Sequence, residues 1–297
     1  MADAAPALEV PPFSVVATGY QFVEGPRVAA DGTLWFSDLL AGGYHRIAPD
    51  GTASAFATGR QWIGGAVLVE DGTLVVSGRG GLARLDPATG RLTPLPLATG
   101  DPFELCANDL EAAPDGGIIG GTIDFASIME THQPPRPGTL FHRAPDGRLT
   151  ILRQDVFASN GLGFSPCGRW LYHSETSRGV WRYPLGADGL PDCRPGQAHL
   201  LAAMEDSDGL VVDAEGAIWV AGWASASLRR LLPDGREDRC LSLPAFPHLV
   251  SLAFGGPDLN ALYVSTGGNE AAPGLGGVVK IRVEVPGLRD RRAQVPA

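Results

Sequence analysis

The chain has 297 residues, with 23 Lys and Arg against 33 Asp and Glu, for a formal net charge of −10. That balance disfavours a nucleic-acid or anionic-membrane partner. The start, Met1-Ala-Asp-Ala-Ala-Pro, has neither a basic n-region nor an apolar h-region, and no apolar run approaches the roughly 18 residues of a membrane span, so a soluble, cytoplasmic protein is expected.

In chain order, residues 1–12 read as an N-terminal tail, and Ser14-Val15-Val16-Ala17 is a short apolar run with no repeat of its own. The first of a series of turns follows at Asp31-Gly32-Thr33-Leu34-Trp35. It recurs as Asp71-Gly72-Thr73-Leu74-Val75, Asp115-Gly116-Gly117-Ile118-Ile119 and Glu215-Gly216-Ala217-Ile218-Trp219, and in longer form at Cys167-Gly168-Arg169-Trp170 and Asp258-Leu259-Asn260-Ala261. Each is a turn that releases an alternating or continuous apolar run, the mark of a strand leaving a hairpin. Second turns such as Ala48-Pro49-Asp50-Gly51 and Leu232-Pro233-Asp234-Gly235 close further hairpins.

Repeats of roughly 40 to 50 residues with several short strands each predict propeller blades. Length alone would suggest about two domains, but the repeats nearly exhaust the chain. The prediction is one all-β, six-bladed propeller of four-stranded antiparallel blades over 13–285, with residues 286–297 as a C-terminal tail. The run at 14–17 is expected to join the last blade beside strands near 262–265 and 278–282, closing the ring and removing sheet edges. No sustained 3.6-residue period argues for a packed helix. Cys106, Cys167, Cys193 and Cys240 lack CxxC spacing and read as thiols. A monomer or small homo-oligomer is expected.

Seven residues before the six turns stand Glu24, Gly64, Asn108, Asn160, Asp208 and Ser251. In a propeller these equivalent positions begin the innermost strands and converge on one mouth of the central channel. Polar residues there can simply line a wet channel or cap turns. Two carboxylates in a narrow channel, however, repel and lose hydration, and no Lys or Arg occupies any of the six positions to offset that. One divalent cation would offset it. An all-oxygen donor set favours Ca²⁺, then Mg²⁺ or Mn²⁺, with Zn²⁺ possible.

Five fragments carry a family resemblance: Phe22-Val-Glu24-Gly-Pro26, Ala107-Asn108-Asp109, Ser159-Asn160-Gly-Leu-Gly-Phe-Ser-Pro166, Asp208-Gly-Leu-Val-Val-Asp-Ala-Glu-Gly-Ala-Ile-Trp-Val220 and Phe254-Gly-Gly-Pro-Asp258. Together, in this order, they resemble the senescence-marker-protein/gluconolactonase/luciferin-regenerating-enzyme family over about residues 20 to 283. The resemblance implies a six-bladed propeller that holds one divalent metal through Glu24, Asn160 and Asp208. It places Asn108 on substrate or a metal-bound water, and it implies metal-dependent lactone hydrolysis.

A metal can stabilise the oxyanion formed when water attacks a lactone carbonyl, and a general base is still required. Asp208 is the first candidate for it and Glu24 the second. Two departures from the family bear on the substrate. Sugar-lactone members carry an Arg where this chain has Cys106, and their downstream acidic contact falls at Ala126, with Phe125 beside it and Asp124 two residues earlier. Trp62, Phe103, Ile123, Phe125 and Trp223 are aromatic or apolar candidates for the same mouth, or else blade packing. They point to a lactone or related ester less polar than a simple sugar-acid lactone.

Residues 124–138 make the longest blade interval and read either as a lid or as a surface insertion, from which Asp124 and His132 could reach substrate. His248 is a further polar candidate at the mouth. His173 and Glu175 read as blade-stabilising groups. Neither a Gly-rich phosphate loop nor a GxSxG elbow is present. Besides the lactonase, two readings use the same site: a metal-binding propeller with a ligand-binding or regulatory role, and a metal-dependent lyase or isomerase.

Overall fold

The structure is a computed structural model that describes residues 7–57, 59–95 and 106–296. It is a ring of six antiparallel β-sheets. Blade 1 comprises Val23–Val28, Leu34–Asp38, Tyr44–Ile47 and Ala53–Phe56; blade 2 comprises Ala66–Leu68, Leu74–Val76, Ala83–Leu85 and Leu92–Pro94. Blade 3 is Cys106–Ala112, Ile118–Ile123, Gly138–Arg143 and Leu149–Val156, and blade 4 is Ser159–Phe164, Trp170–Glu175, Gly179–Pro184 and His199–Ala203. Blade 5 is Ser207–Val212, Ile218–Gly222, Ser227–Leu231 and Glu237–Ser242. Blade 6 takes three strands from the chain's end, His248–Gly255, Ala261–Gly267 and Gly276–Arg282, and its outermost strand, Phe13–Tyr20, from the beginning. The expected closure by residues near 14–17 is therefore observed.

Two segments outside the repeats also pack on the ring. Leu8–Glu9 adds a short parallel strand to the edge of blade 5, pairing Leu8 with Cys240 and Glu9 with Leu241. Residues 286–296 run beneath the propeller: Gly287 N–H donates to Leu259 O, Ala293 N–H to Leu68 O and Gln294 N–H to Gly116 O, while Ala293 and Val295 are buried.

Apolar side chains on the sheet faces meet between neighbouring blades. Trp35 and Tyr44 of blade 1 pack with Ala66 and Leu74 of blade 2, Phe164 and Tyr183 of blade 4 with Ile119 and Leu140 of blade 3, and Trp219 of blade 5 with Leu252 and Phe254 of blade 6. This is how short strands that cannot bury both faces alone become stable as a ring. No helix among the described residues is long and apolar enough to cross a membrane.

Candidate functional site

The innermost strand of five blades is bulged, and the bulges fall at the predicted channel positions. Pairing with the second strand shifts between Glu24 and Arg27, Ala107 and Leu110, Ser159 and Leu162, Ser207 and Leu210, and Leu249 and Leu252. A bulge bends the strand and re-aims its side chains, so Glu24, Asn108, Asn160, Asp208 and Ser251 leave the sheet alternation and face the channel. Blade 2 has Gly64 and Gly65 instead, whose N–H groups both donate to Ser77 Oγ, at 3.1 and 2.9 Å.

Glycine is required here by close approach. A Cβ at Gly25, whose φ is 49°, would lie 2.7 Å from Gly64 O, and one at Gly64 would overlap the Asn108 carboxamide oxygen. Gly64 thus leaves room that the Asn108 side chain fills. Asn108 Nδ2 donates to Ser159 O and to Asn160 Oδ1, both at 2.7 Å, and Asn160 Nδ2 donates to Thr176 Oγ1 at 2.6 Å. The carboxamide oxygens are thereby oriented, yet Asn108 Oδ1 is buried without a donor among the described residues.

Glu24 and Asp208 are 5% and 7% exposed, so their carboxyls have little water to solvate a charge. Burial first, then the charges of Asp208 and Asp109, hold the Glu24 carboxyl well above its ordinary range. Burial first, then Asp109, does the same to Asp208. Asp109 is itself pushed up to about 6 by burial, against the pull of Arg27. Glu24 and Asp208 are thus near enough for their charges to interact, with Asp109 acting on both from the side of Arg27.

A buried apolar cluster adjoins them through Phe22 and Cys106, which stand two residues before Glu24 and Asn108. Leu39, Trp62, Cys106, Ile123 and Phe125 form one apolar cluster, with the Trp62 and Phe125 rings 5.8 Å apart. Across the mouth, His248 Nδ1 lies 2.8 Å from Trp223 O, and its ring lies 5.5 Å from Trp223 and 6.0 Å from Phe22. Trp223 is 38% exposed, a large aromatic left open at a mouth.

A model of the SMP-30/Gluconolactonase/LRE-like region matches residues 22–268. The chain belongs to that family. The 6-deoxy-6-sulfogluconolactonase of Pseudomonas putida is 33% identical over 277 residues, covering 86% of this chain and 89% of that protein. Pentonolactonase XacC of Haloferax volcanii is 30% identical over 260 residues, covering 86% and 85%. The crystal structure of the calcium-binding protein regucalcin from Agrobacterium tumefaciens has a TM-score of 0.82 at 26% identity, covering 97% of this chain and 100% of that one.

Within this SMP-30-type propeller the sequence candidates separate by environment. Glu24, Asn108, Asn160 and Asp208 share the channel mouth. Cys106 is a buried thiol pushed up to about 11, mainly by burial, and so serves as wall rather than nucleophile. Phe125, Trp62 and Ile123 line the wall with it, while Phe103 lies outside the described residues. Asp124 turns away from the channel into its own loop. It accepts from Ser127 Oγ at 2.7 Å and from Arg136 Nε at 2.9 Å, and these bonds hold its carboxyl well below the usual range against its burial. The loop is an ordered single π-helical turn, Ala126–Thr131, and His132 after it is exposed. The four cysteines are free.

His173 is buried and pushed down to about 3, first by burial and then by Arg153, with Nε2 2.8 Å from Ser159 Oγ. Glu175 is fully buried and ion-paired to Arg178 at 2.8 Å. Both stiffen blade 4, as their sequence positions suggested. Sequence reasoning gave no role to Asp109, the third of these carboxyls, although it follows Asn108 directly. It also missed Thr176, which orients Asn160 and whose only trace was its place after Glu175.

The donors fit a hard divalent cation. Among the described residues no three His, Cys, Asp or Glu side chains group as a metal site, so this set depends on carboxamide oxygens beside two carboxylates. The mutually repelling carboxyls are what such an ion would satisfy, and the unpartnered Asn108 oxygen beside them would remain for substrate or a bound water.

Proposed function

We propose that the protein is a divalent-metal-dependent lactonase, with Glu24, Asn160 and Asp208 holding one cation, Ca²⁺ by preference. The observation that carries this reading is the pair of buried carboxyls, Glu24 and Asp208, at the open end of a channel with no cationic partner among the described residues. That relatives matching most of the chain are named lactonases supports the reaction class. When bound, the cation would polarise the lactone carbonyl and stabilise the oxyanion.

Asn108, fixed by Ser159 and Asn160, orients the substrate or the attacking water. Asp208 takes the proton from water as it adds to the carbonyl carbon. The ring C–O bond then breaks, the leaving alkoxide takes that proton from Asp208, and the product is an open-chain hydroxy acid. Glu24 holds the opposite side of the site and is the alternative base. The wall of Trp62, Cys106, Ile123 and Phe125 has no charge of its own for sugar hydroxyls, so the substrate turns a less polar flank towards it than a simple sugar-acid lactone would. We place this activity in the cytoplasm, on a free small molecule.

The test is acid release from a panel of sugar, aliphatic and aryl lactones by metal-loaded protein. Hydrolysis is expected, with Asp208→Asn losing turnover far more than metal affinity. Failure to open any lactone or ester, with metal bound, would overturn the reading.

A further inference from the structure

Among the described residues near the candidate mouth, Arg79 is a half-exposed cation that the proposed reaction does not use. Arg79 follows the second strand of blade 2. Its preceding residue, Gly78, donates its N–H to Ala107 O at 3.1 Å, and Ala107 lies between Cys106 and Asn108. The Arg79 guanidinium lies over the Trp62 ring, 4.4 Å from its centroid, and Trp62 packs in the same wall as Cys106 and Phe125. The Arg79 side chain is 49% exposed.

Its neighbour Arg60 is committed differently. Arg60 Nε and Nη2 donate to Ser77 O and Gly81 O at 2.8 and 2.6 Å, so that guanidinium builds the turn that carries Arg79. Among the described residues, Arg60, Gln61, Arg79, Ala57, Gly59 and Leu92 line a recess of about 560 Å³ beside the wall.

Arg79 is already bound by a carboxylate. Its Nη1 donates to Gln61 Oε1 and Glu130 Oε1, both at 2.9 Å, and its Nη2 to Glu130 Oε2 at 3.3 Å. Glu130 sits on the π-helical turn, and its side chain is 45% exposed. A planar guanidinium stacked on an aromatic ring is preorganised for two-point binding of a carboxylate-like anion. A solvent-exposed ion pair holds its partner weakly, so Glu130 is an exchangeable occupant.

We propose that Arg79 is a specificity-determining residue that binds an anionic substituent of the substrate, such as a carboxylate or another oxyanion, in place of Glu130. This rests on the lactonase reading and extends it: the ligand's less polar flank lies on the Trp62 wall and its anionic end reaches Arg79.

The experiment compares one lactone bearing a terminal carboxylate with its primary amide, on metal-loaded protein at low ionic strength. The readout is the ratio of kcat/KM for the anionic over the neutral lactone. A charge-assisted pair predicts a fall of about tenfold in that ratio for Arg79→Met. Glu130→Gln removes the competing carboxylate and should raise the ratio, by about threefold. Opposite movement in the two variants supports the inference, whereas an unmoved ratio, or both moving together, overturns it. The same ratio is read from equilibrium binding of the open-chain hydroxy diacid and its monoamide. If neither lactone is hydrolysed, the lactonase reading fails, and the binding ratio still decides whether Arg79 takes the anion.

Discussion

Glu24 and Arg27 lie three residues apart on one strand, across one bulge, and face opposite fates. Below the bulge, Arg27 donates to Ala66 O at 2.9 Å, pairs with Glu111 at 3.1 Å and with Asp290 of the C-terminal segment at 3.6 Å. There, partly buried carboxyls flank a cation that the chain supplies. Above it, Glu24 and Asp208 are more deeply buried, and among the described residues the charged side chains that act on them are other carboxyls. The difference teaches that burial of acid is partly compensated by the chain's own cation where the channel is structural, and by no cation among the described residues where it opens. The proposed cation from solution is assigned to the second place for that reason.

Breaking the compensated end should have the largest effect. Arg27→Met leaves the partly buried Glu111 and Asp290 without their cation and should cost about 2 to 3 kcal/mol of stability, read by chemical denaturation. A loss below about 1 kcal/mol would erase the contrast between the two ends.

A smaller effect sharpens the comparison through pH. Burial pushes Glu111 up to about 7 from its ordinary 4.5 despite Arg27. A carboxyl raised by folding leaves stability intact below about pH 4.5 and costs stability as pH rises through about 7. Metal-free protein should therefore lose about 1 to 3 kcal/mol between pH 5 and pH 8 that Glu111→Gln retains. Denaturation at the two pH values checks this, and equal losses in both proteins would show that Glu111 is not the titrating group.

The fold was legible because its information is local and repeated. Turns at Gly32, Gly72, Gly116 and Gly216 mark the same point in four of the blades, and counting back eight residues from each reaches the channel mouth. What escaped has no period. Asp290 meets Arg27 from the far end of the chain, Leu8 pairs with Cys240, and residues 286–296 dock beneath the ring as one irregular segment. The bulges were equally hidden, because a register shift depends on two strands and the pattern of one does not record it. At the site, Asn160 and Asp208 stood out by position. Asp109 did not, because its aim follows from the bulge, and Asp124 looked available until Arg136, twelve residues on, was seen to hold it.

The central claim, that the open end of the channel takes one cation through Glu24, Asn160 and Asp208, is tested most directly by calorimetric Ca²⁺ titration of chelator-stripped protein. One ion per chain is predicted, with binding abolished in Asn160→Ala while its circular dichroism stays that of a folded propeller. Absence of saturable binding of Ca²⁺, Mg²⁺, Mn²⁺ or Zn²⁺ by the unmutated protein, or Ca²⁺ binding unchanged in Asn160→Ala, would contradict it.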